Sequence, residues 1–427
     1  MNKPTLAVNI LTRNAGRLVI RAIESVGPID EVVIIDTGST DDSKKVLGDY
    51  LQECAALKKY SIVDFSPKTH SDFYVSDTRE NFPGLSLEDS EYTGRTVLID
   101  FAAARQEGLA HTTSDFVFYL DSDDVIKSPD SFGEIPKVVA YLDRHGKDLG
   151  ITPYVHRFAT TTALKTPCSV MARSSFGRVG KVRWEGAVHE HLVNAPYGEE
   201  SLNEVLFEAP VTLDLFDRAD PGSRAPWRNL KILHRAFFGK SYDRSPHVLF
   251  HLGLETRRIF PQKSLNYFNL FIDGLSVLKR SRRTASAIAT AHVERGRIYE
   301  MLEKPTEAFG EYANACNVCR DLPESYFGLG RASYRLESYA QAVNYIQEGQ
   351  RLAKDKKTEF FMHDPIEREG KSRIFLALSL ARLGKHGKAL SVWNEGKSVL
   401  PEEFAALKNI LDRSASNRSE TRAEASL

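Results

Sequence analysis

From Leu6 to Leu11 the chain is apolar at nearly every position. So are the segment Glu31-Val-Val-Ile-Ile-Asp36 and the run from Phe116 to Leu120. Apolar runs without alternation are strands covered on both faces. Between the first two, Arg17 to Val26 has helical periodicity. After the second comes Thr37-Gly-Ser-Thr-Asp-Asp-Ser43, a turn in which Thr40 or Asp41 is placed to cap another helix. Strand, helix, strand, helix predicts an α/β domain on a mostly parallel sheet.

The second half has only helical patterns, and they repeat. Phe250-His-Leu-Gly253, Ala291-His-Val-Glu-Arg-Gly296, Phe327-Gly-Leu-Gly330 and Phe375-Leu-Ala-Leu378 each open a helix that is followed by a partner. The partners begin near Ser264, Ala308, Ala342 and Ala389. Gly296 to Gly330 and Ala308 to Ala342 are both steps of 34 residues. That is the period of a tetratricopeptide repeat, whose small residues let paired helices approach closely. The expected domains are 1–225 and 226–412, with a linker near Asp220-Pro-Gly-Ser223 and a polar, disordered tail over 413–427.

The chemistry is at the strand ends. Asp121, Asp123 and Asp124 terminate the third apolar run. Carboxylates crowded at a buried edge repel one another unless something positive lies among them. A divalent cation carrying a phosphorylated ligand fits, since Mg²⁺ and Mn²⁺ take carboxylate and phosphate oxygens. The plainer alternative is an acidic helix start with Asp124 as cap. Asp36 ends the second run in the same way. In parallel sheets ligands bind beyond the carboxyl ends of the strands. Two such carboxylates facing one crevice suit a nucleotide.

Asn9-Ile-Leu-Thr-Arg-Asn14, Val33-Ile-Ile-Asp-Thr-Gly-Ser-Thr-Asp41, Asp100-Phe-Ala-Ala-Ala-Arg105, Asp121-Ser-Asp123 and Trp184-Glu-Gly-Ala-Val-His-Glu190 occur in that order. In this the chain resembles the family-2 glycosyltransferases of GT-A fold, and more narrowly those with a C-terminal tetratricopeptide-repeat domain. It is similar in layout to the bacterial S-glycosyltransferases that modify glycopeptide bacteriocins. The resemblance implies a Rossmann-like GT-A domain followed by an all-α repeat domain. It also implies a nucleotide-sugar donor, with a UDP-sugar favoured, and Mn²⁺ or Mg²⁺. Donor contacts would come from Asn9, Thr12, Asn14, Asp36, Asp100, Arg105, Asp121 and Trp184. Metal ligands would be Asp121, Asp123 and His189. The base would be Glu190 or Glu185, with Glu190 preferred because the family pattern has an acid there; it could instead orient His189.

Individual roles have alternatives. Arg105 either faces the diphosphate or forms an internal salt bridge with Asp100 or Asp36. Asp100 caps a helix from Phe101 to Ala110 and also faces the base or ribose. Trp184 offers an aromatic wall for a sugar ring. Arg13 and Arg173 are further phosphate candidates. Two departures stand out. Gln106 follows Arg105 where the family has Asn, and residues 66–96 form an insertion beside the nucleotide site, expected to be a flap or disordered.

Composition narrows the setting. The formal net charge is +0, yet residues 1–225 carry 24 Lys+Arg against 34 Asp+Glu, and residues 226–427 carry 33 against 23. A basic repeat domain suits an acidic peptide or protein acceptor, or a homodimer contact; the equal alternative is that the two halves partly neutralise each other's charge. Nucleic acid is disfavoured, because the basic residues are spread over many helices rather than gathered in one stripe. The chain lacks an apolar run long enough to span a membrane and starts directly on a strand, so neither a membrane span nor a signal peptide is expected. Four cysteines fit a reducing, cytoplasmic compartment. Competing classes are a GT-A scaffold that has lost activity and a nucleotidyltransferase. The latter would carry a Gly-rich loop after the first strand, where this chain has Thr12-Arg-Asn-Ala-Gly-Arg17.

Overall fold

The computed structural model describes residues 3–27, 29–54, 57–85, 87–126, 129–158, 169–195, 204–206, 211–215, 225–239, 243–277, 282–354 and 367–396. The expected linker at 220–223 and the tail over 413–427 lie outside the described residues. The chain forms two compact units. The first runs to His251, and the second takes up the chain from Leu252. The first unit therefore extends past the expected boundary at residue 225.

The first unit opens with β1 (Leu6–Thr12), α1 (Gly16–Val26), β2 (Glu31–Asp36), α2 (Ser43–Glu53) and β3 (Lys59–Asp64). Two short strands follow, β4 (Tyr74–Ser76) and β5 (Thr96–Leu98), then α3 (Phe101–Ala110), β6 (Phe116–Asp121) and α4 (Pro129–Arg144). The unit continues with β7 (Leu149–Phe158), β8 (Ser169–Arg178), β9 (Val182–Glu185), β10 (His191–Asn194), β11 (Glu204–Leu206) and β12 (Val211–Leu215). Helices α5 (Ala225–Phe238) and α6 (Pro246–Thr256) come next.

The main sheet has the order β11-β7-β8-β6-β1-β2-β3, with β12 also on β7. β1, β2, β3 and β6 run parallel, and β8 lies antiparallel to β6. β1, β2 and β6 are buried almost throughout, as their continuous apolar runs require. Register pairs Thr12 with Asp36 and Leu11 with Asp121. Both carboxylates thus end their strands at one edge of the sheet, on either side of β1.

The insertion over 66–96 is packed. It contributes β4, which pairs with β5, and it buries Tyr74, Phe82, Leu85 and Leu87. Helix α5 holds it down. Lys231 Nζ donates to Asp77 Oδ1 at 2.7 Å and to the Glu91 carbonyl at 2.6 Å, and Arg235 donates to the Asn81 carbonyl. Burial works to raise the Asp77 carboxyl, but the Lys231 ammonium and the Thr93 hydroxyl outweigh it and hold it below the usual range.

In the second unit the helices pair in sequence. α7 (Pro261–Ser276) is followed by the hairpins α8 (Arg282–Met301) with α9 (Pro305–Val318), α10 (Pro323–Arg335) with α11 (Tyr339–Ala353), and α12 (Ser372–Arg382) with α13 (His386–Gly396). Proline opens α7, α9 and α10, where its missing N–H costs nothing. The recurring glycines mark close approaches. A Cβ at Gly296 or Gly328 would strike the buried ring of Tyr312, and one at Gly330 would strike Ile346. These are tetratricopeptide-type hairpins, in which a small residue on one helix admits a large one from its partner. Among the described residues no helix is long and apolar enough to cross a membrane.

Lys231→Met tests the clamp on the insertion. It leaves the buried Asp77 carboxylate unpaired, so the chain should lose about 3–5 kcal/mol at pH 7. A carboxyl with a depressed folded pKa stabilises above its unfolded pKa of roughly 3.9, and loses that contribution as pH falls through the lower folded value. The gap between wild type and variant in denaturant melts should therefore narrow in acid. Equal stability at pH 7 would contradict the clamp.

Candidate active site

Helix α3 is the centre of the site. Asp100 caps it by accepting from the Ala103 N–H at 2.9 Å. The helix presses close to the sheet at Gly108, where any Cβ would meet Ile35 at 2.5 Å. This brings Arg105 between the end of β6 and the β9–β10 hairpin. Arg105 is only 3% exposed. Its Nε donates to Glu190 Oε1 at 2.6 Å and its Nη2 donates to Asp121 Oδ1. Burial alone would weaken the guanidinium's hold on its proton, but the charges of Glu190 and Asp121 more than restore it. The internal salt bridge expected for Arg105 exists, with Asp121 and Glu190 as partners in place of Asp100 or Asp36. Its Nη1 is buried without a hydrogen-bond partner.

A second guanidinium closes the other flank of Asp121. Arg173, on β8, reaches Asp121 Oδ2 at 3.4 Å and Asp124 Oδ2 at 3.6 Å, and donates from Nε to the Tyr119 hydroxyl. Its guanidinium carbon lies 4.2 Å from the Tyr119 ring centre. Asp124 is fully buried and accepts from the Asp121 N–H at 3.0 Å, so it folds the strand end back on itself. That corrects the capping role considered for it. Burial first, and the Asp121 charge second, push its carboxyl well above the usual carboxylate range.

The expected donor residues divide. Asp36 is fully buried. Its Oδ1 accepts from the Gly38 and Ser39 N–H groups at 2.8 and 2.7 Å, while Oδ2 has no hydrogen-bond partner. It shapes the turn after β2 and presents no exposed carboxylate to a base or ribose. Asn9 is also buried and bonds Thr112 on the far side of α3. Thr12 is buried, and its carbonyl accepts from Thr37. Asn14 ties the two loops beyond β1 and β2 together, accepting from the Thr40 N–H at 2.7 Å. Asp36 and Asn14 thereby satisfy the backbone of the neighbouring turns, as polar groups at a closely packed sheet edge do. Asp100 remains half-buried beside Glu190. Burial, then the Glu190 charge, raise its carboxyl.

Trp184 corrects the expectation of a sugar-stacking wall. It is 6% exposed and packs edge-on against Tyr119, with Ala102, Leu109 and Leu192 around it. Strand alternation explains this. Trp184 takes the inward position of β9, while Glu185 shares the opposite face with Arg183, which pairs with it. Of the two base candidates, Glu190 joins the Arg105 cluster and Glu185 does not. Gln106, the departure from the family pattern, accepts from the Trp184 N–H at 3.0 Å and so fastens α3 to β9.

His189 has φ of 55°, and its ring stacks on His251 at 4.1 Å. Among the described residues no group of three or more His, Cys, Asp or Glu side chains is placed to hold a metal ion. Asp121, Asp123 and His189 therefore do not form the three-ligand set the motifs suggested. Asp121 and Asp123 still fit a Mg²⁺ or Mn²⁺ ion that takes its remaining oxygens from substrate phosphates and water. Sequence reasoning missed Tyr119, hidden in an apolar run. It also missed His247, and His251 was read only as part of a helical-repeat motif; their spacing of four on one helix was the available signal.

Residues 97–205 match the family model for Glycosyl transferase family 2. The SPbeta prophage-derived glycosyltransferase SunS of Bacillus subtilis (strain 168) is 22% identical over 192 residues, which is 45% of this chain and 35% of that protein. The glycosyltransferase SunS of Bacillus phage SPbeta gives the same figures. The chain thus spans about a third of the length of the curated relatives it matches. Among solved structures, the apo form of RapI is 11% identical with a TM-score of 0.37, covering 47% of this chain and 78% of that one. The segment that matches the family-2 glycosyltransferase model lies in the mostly parallel α/β unit, and tetratricopeptide-type hairpins follow it.

Trp184→Phe should lower stability by about 1–3 kcal/mol, since it opens a cavity in a packed core. Nucleotide and sugar affinity should stay unchanged in the same protein. A selective loss of sugar affinity at unchanged melting temperature would put the ring back in the binding site.

Proposed function

We propose that the chain is an inverting glycosyltransferase that moves a sugar from a nucleoside-diphosphate donor, a UDP-sugar in the favoured case, to a peptide or protein acceptor. The observation that carries this reading is the Arg105 bridge. One buried guanidinium holds Asp121, at the strand end where a nucleotide would lie, and Glu190, on the hairpin that would face the acceptor. The family-2 match over 97–205 includes every member of that bridge and Arg173.

Sugar transfer requires the leaving diphosphate to be neutralised and the acceptor to lose a proton. Asp121 and Asp123 would hold the divalent cation, which supplies Lewis-acid stabilisation of the leaving group. Arg173 stands beside Asp121 with a guanidinium suited to phosphate oxygens. Glu190 takes the acceptor's proton, and Arg105 fixes the direction of its carboxylate. Attack from the face opposite the diphosphate inverts the anomeric centre. The repeat hairpins, with their excess of basic residues, would present the acceptor chain.

Two variants test the assignment. Asp123→Ala should remove the divalent-dependent thermal stabilisation by UDP while the protein stays folded. Unchanged stabilisation, with and without Mn²⁺, would sink the metal role. Glu190→Gln keeps the shape but cannot accept a proton, so turnover should fall by roughly 10²–10⁴ at similar donor affinity. A large loss in Glu185→Gln alone would reverse the roles.

A further inference from the structure

The Gly186–Glu190 turn joins β9 to β10 and carries Glu190 at its end. Its backbone is constrained at both ends, with φ of 90° at Gly186 and 55° at His189. A non-glycine residue in the left-handed region costs on the order of 1 kcal/mol, and it persists only where its surroundings over-determine it. Helix α3 supplies one support. The Phe101 N–H donates to the Ala187 carbonyl at 2.8 Å, and Arg105 pairs with Glu190.

The other support comes from α6, outside the segment that matches the family model. His247 Nε2 lies 3.1 Å from the Val188 carbonyl, 59 residues earlier in the chain. A carbonyl can only accept, so Nε2 is the protonated nitrogen of that ring. The ring also lies 4.8 Å from His191 and 4.6 Å from His251. His251 in turn stacks on His189, 12° from parallel. Gly186 is needed for the same fit, because a Cβ there would meet His247 Nε2 at 2.7 Å. Each of these contacts beyond α6 itself falls on the turn that bears Glu190 or on the strand after it.

We infer that His247 is a positioning residue that, with His251 stacked behind it, fixes the Gly186–Glu190 turn and so aims the Glu190 carboxylate at the acceptor. The inference rests on Glu190 serving as the base. Arg105 restrains Glu190 from below through a single bond. His247 sets the backbone from which that side chain departs. A displacement near 1 Å of a reacting group can cost about 10²-fold in rate.

The test uses the full chain with His247→Ala and His247→Gln, whose Nε2 amide can still donate to Val188. Donor KM, kcat, melting temperature and amide hydrogen exchange over 186–191 are measured for each. His247→Ala should lose about 10–100-fold in kcat at unchanged donor KM, with faster exchange confined to 186–191. His247→Gln should recover most of both. If His247→Ala keeps wild-type kcat, or if donor KM rises and stability falls in step with kcat and Gln does not rescue, the positioning role is overturned. Should the wild type transfer no sugar at all, the function proposed above fails by itself. The exchange data then still decide whether His247 holds the turn, and unchanged exchange at 186–191 would refute it.

Discussion

The site depends on one buried cation. Arg105 has left water almost completely, and a guanidinium in that position is tolerable only if carboxylates meet it with good geometry. Asp121 does so at Nη2 and Glu190 at Nε. They come from elements far apart in the chain, a parallel strand end and a hairpin turn, and the arginine makes their separation a fixed quantity. The features around α3 serve this placement. Asp100 caps its first turn, Gly108 lets it sit close to β2, and Gln106 ties it to the backbone of Trp184. The rings of Tyr119 and Trp184 lie 5.0 and 5.1 Å from the guanidinium carbon and keep water from it.

Much of this was legible in the sequence. The apolar runs gave β1, β2 and β6 because strands buried on both faces leave no other pattern. The helix predicted from Phe101 to Ala110 is α3 to the residue. The 34-residue steps gave the hairpins, since a glycine and the bulky residue it admits must recur together. Pairing within the site was harder to read. Arg105 could be recognised as a buried or ligand-facing cation, but its partners depend on how the β9–β10 hairpin returns to the sheet, and no local pattern encodes that. Trp184 and Asp36 were misread for a related reason. A motif names residue types, whereas burial is decided by strand alternation and by the turns packed above. The insertion over 66–96 looked like a loose loop from its prolines and glycines, and its anchor, Lys231, lies 154 residues away from Asp77.

The two faces of the Glu190 turn have different origins. Helix α3 belongs to the segment that matches the family model, and α6 lies beyond it. The turn that bears Glu190 and the 66–96 insertion are thus both contacted by residues downstream of the match, and a fragment drawn at residue 225 would lack both Lys231 and His247.

The central claim is that the Arg105 bridge organises a nucleotide-sugar site. Calorimetric titration of the full chain with UDP in the presence of Mn²⁺, for wild type and for Arg105→Lys, tests it most directly. Lysine keeps the charge but cannot engage Asp121 and Glu190 together. Losing charged hydrogen bonds worth about 1.5–3 kcal/mol should weaken UDP binding by roughly 10–100-fold in a variant that remains folded. Saturable binding of equal strength in both proteins, or no nucleotide binding by the folded wild type, would contradict the account.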